Sequence, residues 1–146
     1  IASKSAWNKE NEQKIITEYL TQSKINATPS KTGLFYIEHE PGKGKKAVKG
    51  STVVVNYVGR TVVDGQVFDA SEMHGRPYEF ILGKDPVIAG WVEGLERMKA
   101  GGKATFLIPS ALGYDSTGSI DPQSGMYAIL PYSPLLFEIE LVALAL

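Results

Sequence analysis

The residues of this chain best able to do chemistry are rings. Val53, Val55 and Tyr57 fall at alternate positions, Asp64-Gly65 supplies a hairpin turn, and Val67-Phe68-Asp69 returns from it. Tyr78, Phe80 and Leu82 alternate again before Val87-Ile88-Ala89-Gly90-Trp91 opens a helix. Taken with Tyr114 and Phe137, these spacings aim the rings at one point. They would line a cavity with aromatic surface rather than with acids, bases or metal ligands, and the chemistry of such a cavity is desolvation.

Read singly, the same residues have ordinary uses. Trp91 shares a helical stripe with Ile88, Leu95 and Met98, which equally describes core packing. Asp69 has the place of a turn or capping residue, and Tyr114 that of a surface tyrosine in a glycine-rich loop. Asp85-Pro86 has the form of an N-cap with proline at the first helical position. With the helix starting there or slightly later, Ile88 is among the first N–H groups, which lack an intrahelical acceptor and can donate to a ligand carbonyl. Other chemistries find less support. His39 and His74 lie in different segments with no carboxylate or second histidine at ligand spacing, so they read as solvated surface residues and not as a zinc site. The glycines and lysines from Gly42 to Gly50 do not satisfy G-x-x-x-x-G-K-[ST] and read as a solvated loop. There is no G-x-S-x-G elbow, and a serine triad would have to recruit one of the two histidines.

Composition narrows the class further. A chain of 146 residues can build one domain with a real core, and is short for two. A formal net charge of −1 gives no basic field for a nucleic acid backbone, so nucleic acid is not expected as a partner. The absence of cysteine excludes disulfides and thiolate chemistry. No apolar run approaches the ~20 residues that span a bilayer. The sequence opens at Ile1, which is compatible with removal of an upstream signal or lipid anchor.

The elements that must position the rings follow from periodicity. Ser5 to Gln22 is predicted to be a helix with Trp7, Ile15, Ile16, Tyr19 and Leu20 on one side and Asn8, Lys9, Glu12, Lys14 and Glu18 polar. The breaker-rich stretch from Asn26 to Gly33 separates an N-terminal extension, residues 1–31, from a main domain, residues 32–146. Leu34 to His39, Lys103 to Ile108 and Leu135 to Leu144 are further strands, the last with Leu135, Phe137, Ile139 and Leu141 on one face. Several strands and one internal short helix make an α+β fold, with a twisted antiparallel sheet wrapped around the helix of Trp91.

The order of these residues resembles the FKBP-type peptidyl-prolyl isomerases, the immunophilins that bind macrolides. The runs that carry it are Val54-Val55-Asn56-Tyr57-Val58-Gly59, Asp64 to Ser71, Phe80-Ile81-Leu82-Gly83 with Val87 to Trp91, Glu93-Gly94-Leu95 with Met98 to Gly101, Ile108-Pro109-Ser110 with Leu112 and Tyr114, and Leu135 to Leu141. They span roughly residues 47 to 144 in the family's order. The resemblance implies a pocket floored by Trp91 and built from Tyr57, Phe68, Asp69, Tyr114 and Phe137, with Tyr78, Val87, Ile88 and Ile129 contacting substrate. Within it, Asp69 is expected to orient polar contacts, among them one with Tyr57, while the Tyr114 hydroxyl and the Ile88 N–H donate to substrate carbonyls. It implies no cofactor and no metal. The partners implied are proline-containing polypeptide clients and macrolides such as rapamycin and tacrolimus; the alternative is a non-catalytic module holding proline peptides or acting as a chaperone in the same pocket. The helical extension and the entry sequence Thr28 to Tyr36 look bacterial and exported, which implies the periplasm or cell envelope, with the cytoplasm as alternative.

This sequence departs from the family pattern at Gly113 and Asp115 around Tyr114, at Tyr78 where phenylalanine is frequent, and at Tyr132 and Pro134. Ser116 to Ala128 is also longer than in compact members and carries Asp121, Pro122, Met126 and Tyr127. That loop, stiffened on its return by Pro131 and Pro134, is expected to lean over the pocket mouth and weaken bulky macrolides more than short peptides. The N-terminal extension is expected to be an appendage whose removal leaves pocket binding intact.

Overall fold

The computed structural model describes residues 9–63, 65–114, 118–120, 127–129 and 132–145. Helix α1 (Lys9–Gln22) is followed by β1 (Phe35–Glu40), β2 (Thr52–Thr61), β3 (Val67–Ala70), β4 (Tyr78–Ile81), α2 (Ala89–Leu95), β5 (Lys103–Ile108), β6 (Ser119–Ile120), β7 (Tyr127–Ile129) and β8 (Leu135–Ala145). Single turns of 3-10 helix lie at Ser71–His74 and Ser110–Leu112. Among the described residues one antiparallel sheet runs in the order β1-β5-β8-β2-β3, with β4 sharing the β3 edge of β2, and β6 and β7 form a separate ribbon. The expected α+β fold, with its antiparallel sheet around a short helix, is the one observed.

Burial in β2 alternates without a break, and Val53, Val55 and Tyr57 face inward. In β5 the alternation disappears, because helices cover both of its faces. Ala104, Phe106 and Ile108 enter the main core beneath α2, while Leu107 joins Phe35, Leu136 and Ile16 in a second core beneath α1. The approach of α2 to β5 depends on glycine. A Cβ at Gly94 would sit 2.6 Å from the Phe106 ring, and one at Gly59 2.6 Å from the Phe137 ring.

Four local expectations need correction. Asp85 does not cap the helix; its carboxylate accepts the Ile81 N–H at 2.7 Å and closes a tight turn, while α2 starts at Ala89 with Ile88 as N-cap. Met98 is buried but lies beyond the end of α2. The loop from Gly42 to Gly50 is not wholly solvated: the N–H groups of Lys43 and Gly44 donate to Ala100 O and that of Ala47 to Met98 O, and Ala47 is buried. Glu12 is buried, not solvated, because it precedes Ile16 by four residues and so shares its inward face. Among the described residues no helix is long and apolar enough to cross a membrane. Trp7, Asp64, Asp115, Asp121, Pro122, Met126 and Pro131 lie outside the described residues, as does most of the Ser116 to Ala128 loop.

Candidate active site

The site is made where the edge partner of β2 changes. β3 pairs with Val58 to Arg60 and β4 with Thr52 to Val55, so the chain leaves the sheet between them opposite Asn56 and Tyr57. Ser71 fills the gap by accepting the Tyr57 N–H at 3.0 Å through its hydroxyl oxygen, which keeps a buried donor paired. Across the sheet, Tyr57 lies opposite Ile139 and Gly59 opposite Phe137, which lets the Phe137 ring lie over the glycine.

The rings lock around Trp91, which is 5% exposed. Tyr57 meets it at 5.0 Å and 73°, and Phe137 at 5.3 Å and 89°. Phe68 stands edge-on to Phe137 at 5.5 Å, and Tyr78 stacks on Phe80 at 5.0 Å. Edge-to-face pairs of this kind contribute ~0.5–1.5 kcal/mol beyond area burial and fix ring orientation. Above them opens a cavity of about 470 Å³. Tyr57, Phe68, Asp69, Tyr78, Val87, Ile88, Trp91, Tyr114 and Phe137 all line it. Ile129 does not; it is buried in the main core from β7. The Trp91 indole N–H is buried with no acceptor among the described residues, a cost of ~1–3 kcal/mol that ordinary core packing avoids.

The polar groups form one connected rim. The Tyr57 hydroxyl donates to Asp69 Oδ2 at 2.8 Å; Asp69 Oδ1 accepts the Ala70 N–H at 2.8 Å and faces His74 Nε2 at 2.9 Å. Burial, the hydrogen bond to Asp69 and the charge of that carboxylate hold the Tyr57 phenol well above its ordinary range. Burial first and Asp69 second also raise Tyr114. Both phenols therefore stay protonated donors at any physiological pH. Ile88, with extended backbone at the N-cap, has an N–H with no acceptor among the described residues.

His74, Arg76 and Pro77 line the cavity as well, and periodicity gave no sign of them. The signal available was Ser71-Glu72-Met73-His74 ending in Gly75. That 3-10 turn, closed by Gly75 at φ 76°, folds His74 back onto Asp69 five residues earlier. A larger groove of about 880 Å³ lies along Asn56, Thr105, Lys103, Glu138 and Glu140. Tyr57 is the one phenylalanine, tyrosine or tryptophan among its lining residues, and polar and charged side chains make up much of the rest, so it lacks the ring floor that distinguishes the first cavity. The first cavity can desolvate an apolar group on a ring floor and hold carbonyls with neutral donors.

Comparison with known proteins identifies the family of the chain. The family model for the FKBP-type peptidyl-prolyl cis-trans isomerase matches residues 43–142. A probable FKBP-type peptidyl-prolyl cis-trans isomerase FkpA of Neisseria meningitidis is 39% identical over 135 residues, covering 92% of this chain and 46% of its own length. An FK506-binding protein of Streptomyces anulatus is 41% identical over 70% of this chain and 78% of its own. The crystal structure of a peptidyl-prolyl cis-trans isomerase from Pseudomonas syringae superposes with a TM-score of 0.80 at 33% identity, covering 100% of this chain and 98% of that one. The chain spans less than half the length of the FkpA relatives it matches in Neisseria and Escherichia coli. This chain belongs to the FKBP-type peptidyl-prolyl cis-trans isomerase family.

Proposed function

We propose that this protein accelerates rotation about X-Pro bonds in flexible client polypeptides and so assists their folding. The observation that carries the reading is the ring floor of Trp91, Tyr57, Phe68 and Phe137 beside two neutral donors, the Tyr114 hydroxyl and the Ile88 N–H. Rotation must pass through a twisted amide that has lost its resonance, over a barrier of ~20 kcal/mol. The twisted amide is less dipolar than the planar one, so a dry aromatic pocket costs it less than it costs the ground state. Only such differential stabilisation speeds the step, about tenfold for each ~1.4 kcal/mol. In this scheme Trp91, Tyr57, Phe68, Val87 and Phe137 hold the prolyl ring, Tyr114 and Ile88 hold substrate carbonyls, and Asp69 fixes Tyr57. No residue transfers a proton.

Residues 32–146 form the isomerase unit in this reading, and the pocket also accepts macrolides that mimic a prolyl ligand, such as rapamycin or tacrolimus. Similarity to a relative named FK506-binding protein supports that ligand class. The setting we favour is the bacterial periplasm or envelope, on the resemblance of the entry sequence and helical extension; fractionation of cells making the full-length protein tests it. Refolding of a protein limited by proline isomerisation tests the activity. An isomerase accelerates it in proportion to its concentration, whereas a module that only holds proline peptides leaves the rate unchanged or slows it.

A further inference from the structure

The geometry points to Glu12, in the N-terminal helix, as a positioning residue for the Tyr114 side of the pocket. The inference rests on the isomerase reading and adds a part that the family match, which begins at residue 43, does not cover.

Glu12 is 6% exposed, which is unusual for a carboxylate unless it is paired. Its Oε2 accepts the Ser110 N–H at 2.5 Å and its Oε1 accepts the Ser110 hydroxyl at 2.8 Å. Ser110 is itself 1% exposed and opens the 3-10 turn Ser110–Leu112. From there the chain has little freedom: Gly113 N–H donates to Ser110 O at 2.9 Å, and Tyr114 follows at the cavity wall. A two-pronged bond to a charged acceptor therefore holds the residue from which the Tyr114 turn springs. Breaking it leaves either a buried charge or an unpaired backbone donor.

A second contact reaches the pocket floor. The Thr32 hydroxyl donates to Glu93 Oε1, two residues beyond Trp91 on α2, and Ser30 ties the same linker to Leu34. Between the two contacts α1 is seated by Ile16, Tyr19 and Leu20 over Phe35, Leu107 and Leu136. Residues 9–33 thus strap together the two elements that present Trp91 and Tyr114. The extension is a support of the pocket and not an appendage to it.

A double-mutant cycle decides the matter. The turnover of a short X-Pro peptide, as kcat/KM, is measured for the wild type, Glu12→Ala, Tyr114→Phe and the double variant, well below the lowest melting temperature. Glu12→Ala is expected to lose roughly two- to tenfold, the range of the one hydrogen bond it positions, and to lose nothing further in the Tyr114→Phe background. Ser110→Ala, which keeps the backbone bond to Glu12, should fall between wild type and Glu12→Ala and carries the cycle if Glu12→Ala does not fold. Equal losses in both backgrounds, or a lowered melting temperature with unchanged kcat/KM, overturn the proposal. An inactive wild type would instead sink the isomerase reading. The same cycle read as peptide affinity by NMR titration would then still show whether Glu12 acts through Tyr114.

Discussion

The floor and the rim of the pocket are held by different forces. The floor is a set of interlocked rings on strands and α2, fixed by shape: Trp91 has Tyr57 on one side and Phe137 on another, and both are buried. The rim is a chain of hydrogen bonds from Tyr57 on β2 through Asp69 near the end of β3 to His74 in the turn that follows, with Tyr114 and His74 exposed. The difference separates two tasks. Under the proposed function, buried apolar area supplies most of the binding, while the rim donors, each worth far less, choose how the bound amide is oriented.

Substitutions should reproduce that ranking. Trp91→Ala removes the floor and is expected to weaken peptide binding by roughly 1 to 3 kcal/mol, measured by calorimetry. A loss no larger than that of a rim variant would erase the distinction. Gly59→Ala attacks the floor from behind, since its Cβ would meet the Phe137 ring at 2.6 Å. The fold should lose about 1–3 kcal/mol in denaturant unfolding as Phe137 shifts. On the rim, Tyr114→Phe should lose only one hydrogen bond, about 0.5–1.5 kcal/mol in kcat/KM.

The two regions were also unequally legible in the sequence. Val53, Val55, Tyr57 and Phe80 could be placed because burial on one sheet face imposes period two, and Trp91 because it lies on a helical stripe. The rim depends on turns and on contacts between distant segments. His74 returns to Asp69 only because Gly75 adopts a left-handed conformation, and Glu12 meets Ser110 across 98 positions. Neither relation has a period. Asp85 misled for a related reason: an aspartate before proline has the composition of a helix cap, and here the same hydrogen-bonding ability closes a turn onto Ile81. Ile129 was placed at the site by resemblance alone, and the core took it instead.

The smallest expected effect is that of pH. Tyr57 and Tyr114 have raised pKa values in the fold, so folding favours their neutral forms. Their contribution to stability is complete below the ordinary phenol value of about 10 and is lost as pH rises above it. Melting temperature should therefore show no tyrosine-dependent change from pH 6 to 9 and an alkaline decline beyond, reduced in Tyr57→Phe. An acid-side loss that disappears in Tyr57→Phe would contradict the assignment.

In the proposed function a ring-lined pocket speeds X-Pro rotation without proton transfer. The most direct measurement is the cis-to-trans rate of one short X-Pro peptide, followed by NMR exchange with the wild type and with Trp91→Ala between pH 6 and 8. Acceleration is expected to rise with enzyme concentration, to change little with pH and to fall sharply in Trp91→Ala. A steep bell-shaped pH dependence of the chemical step, or equal acceleration by the two proteins, would contradict it.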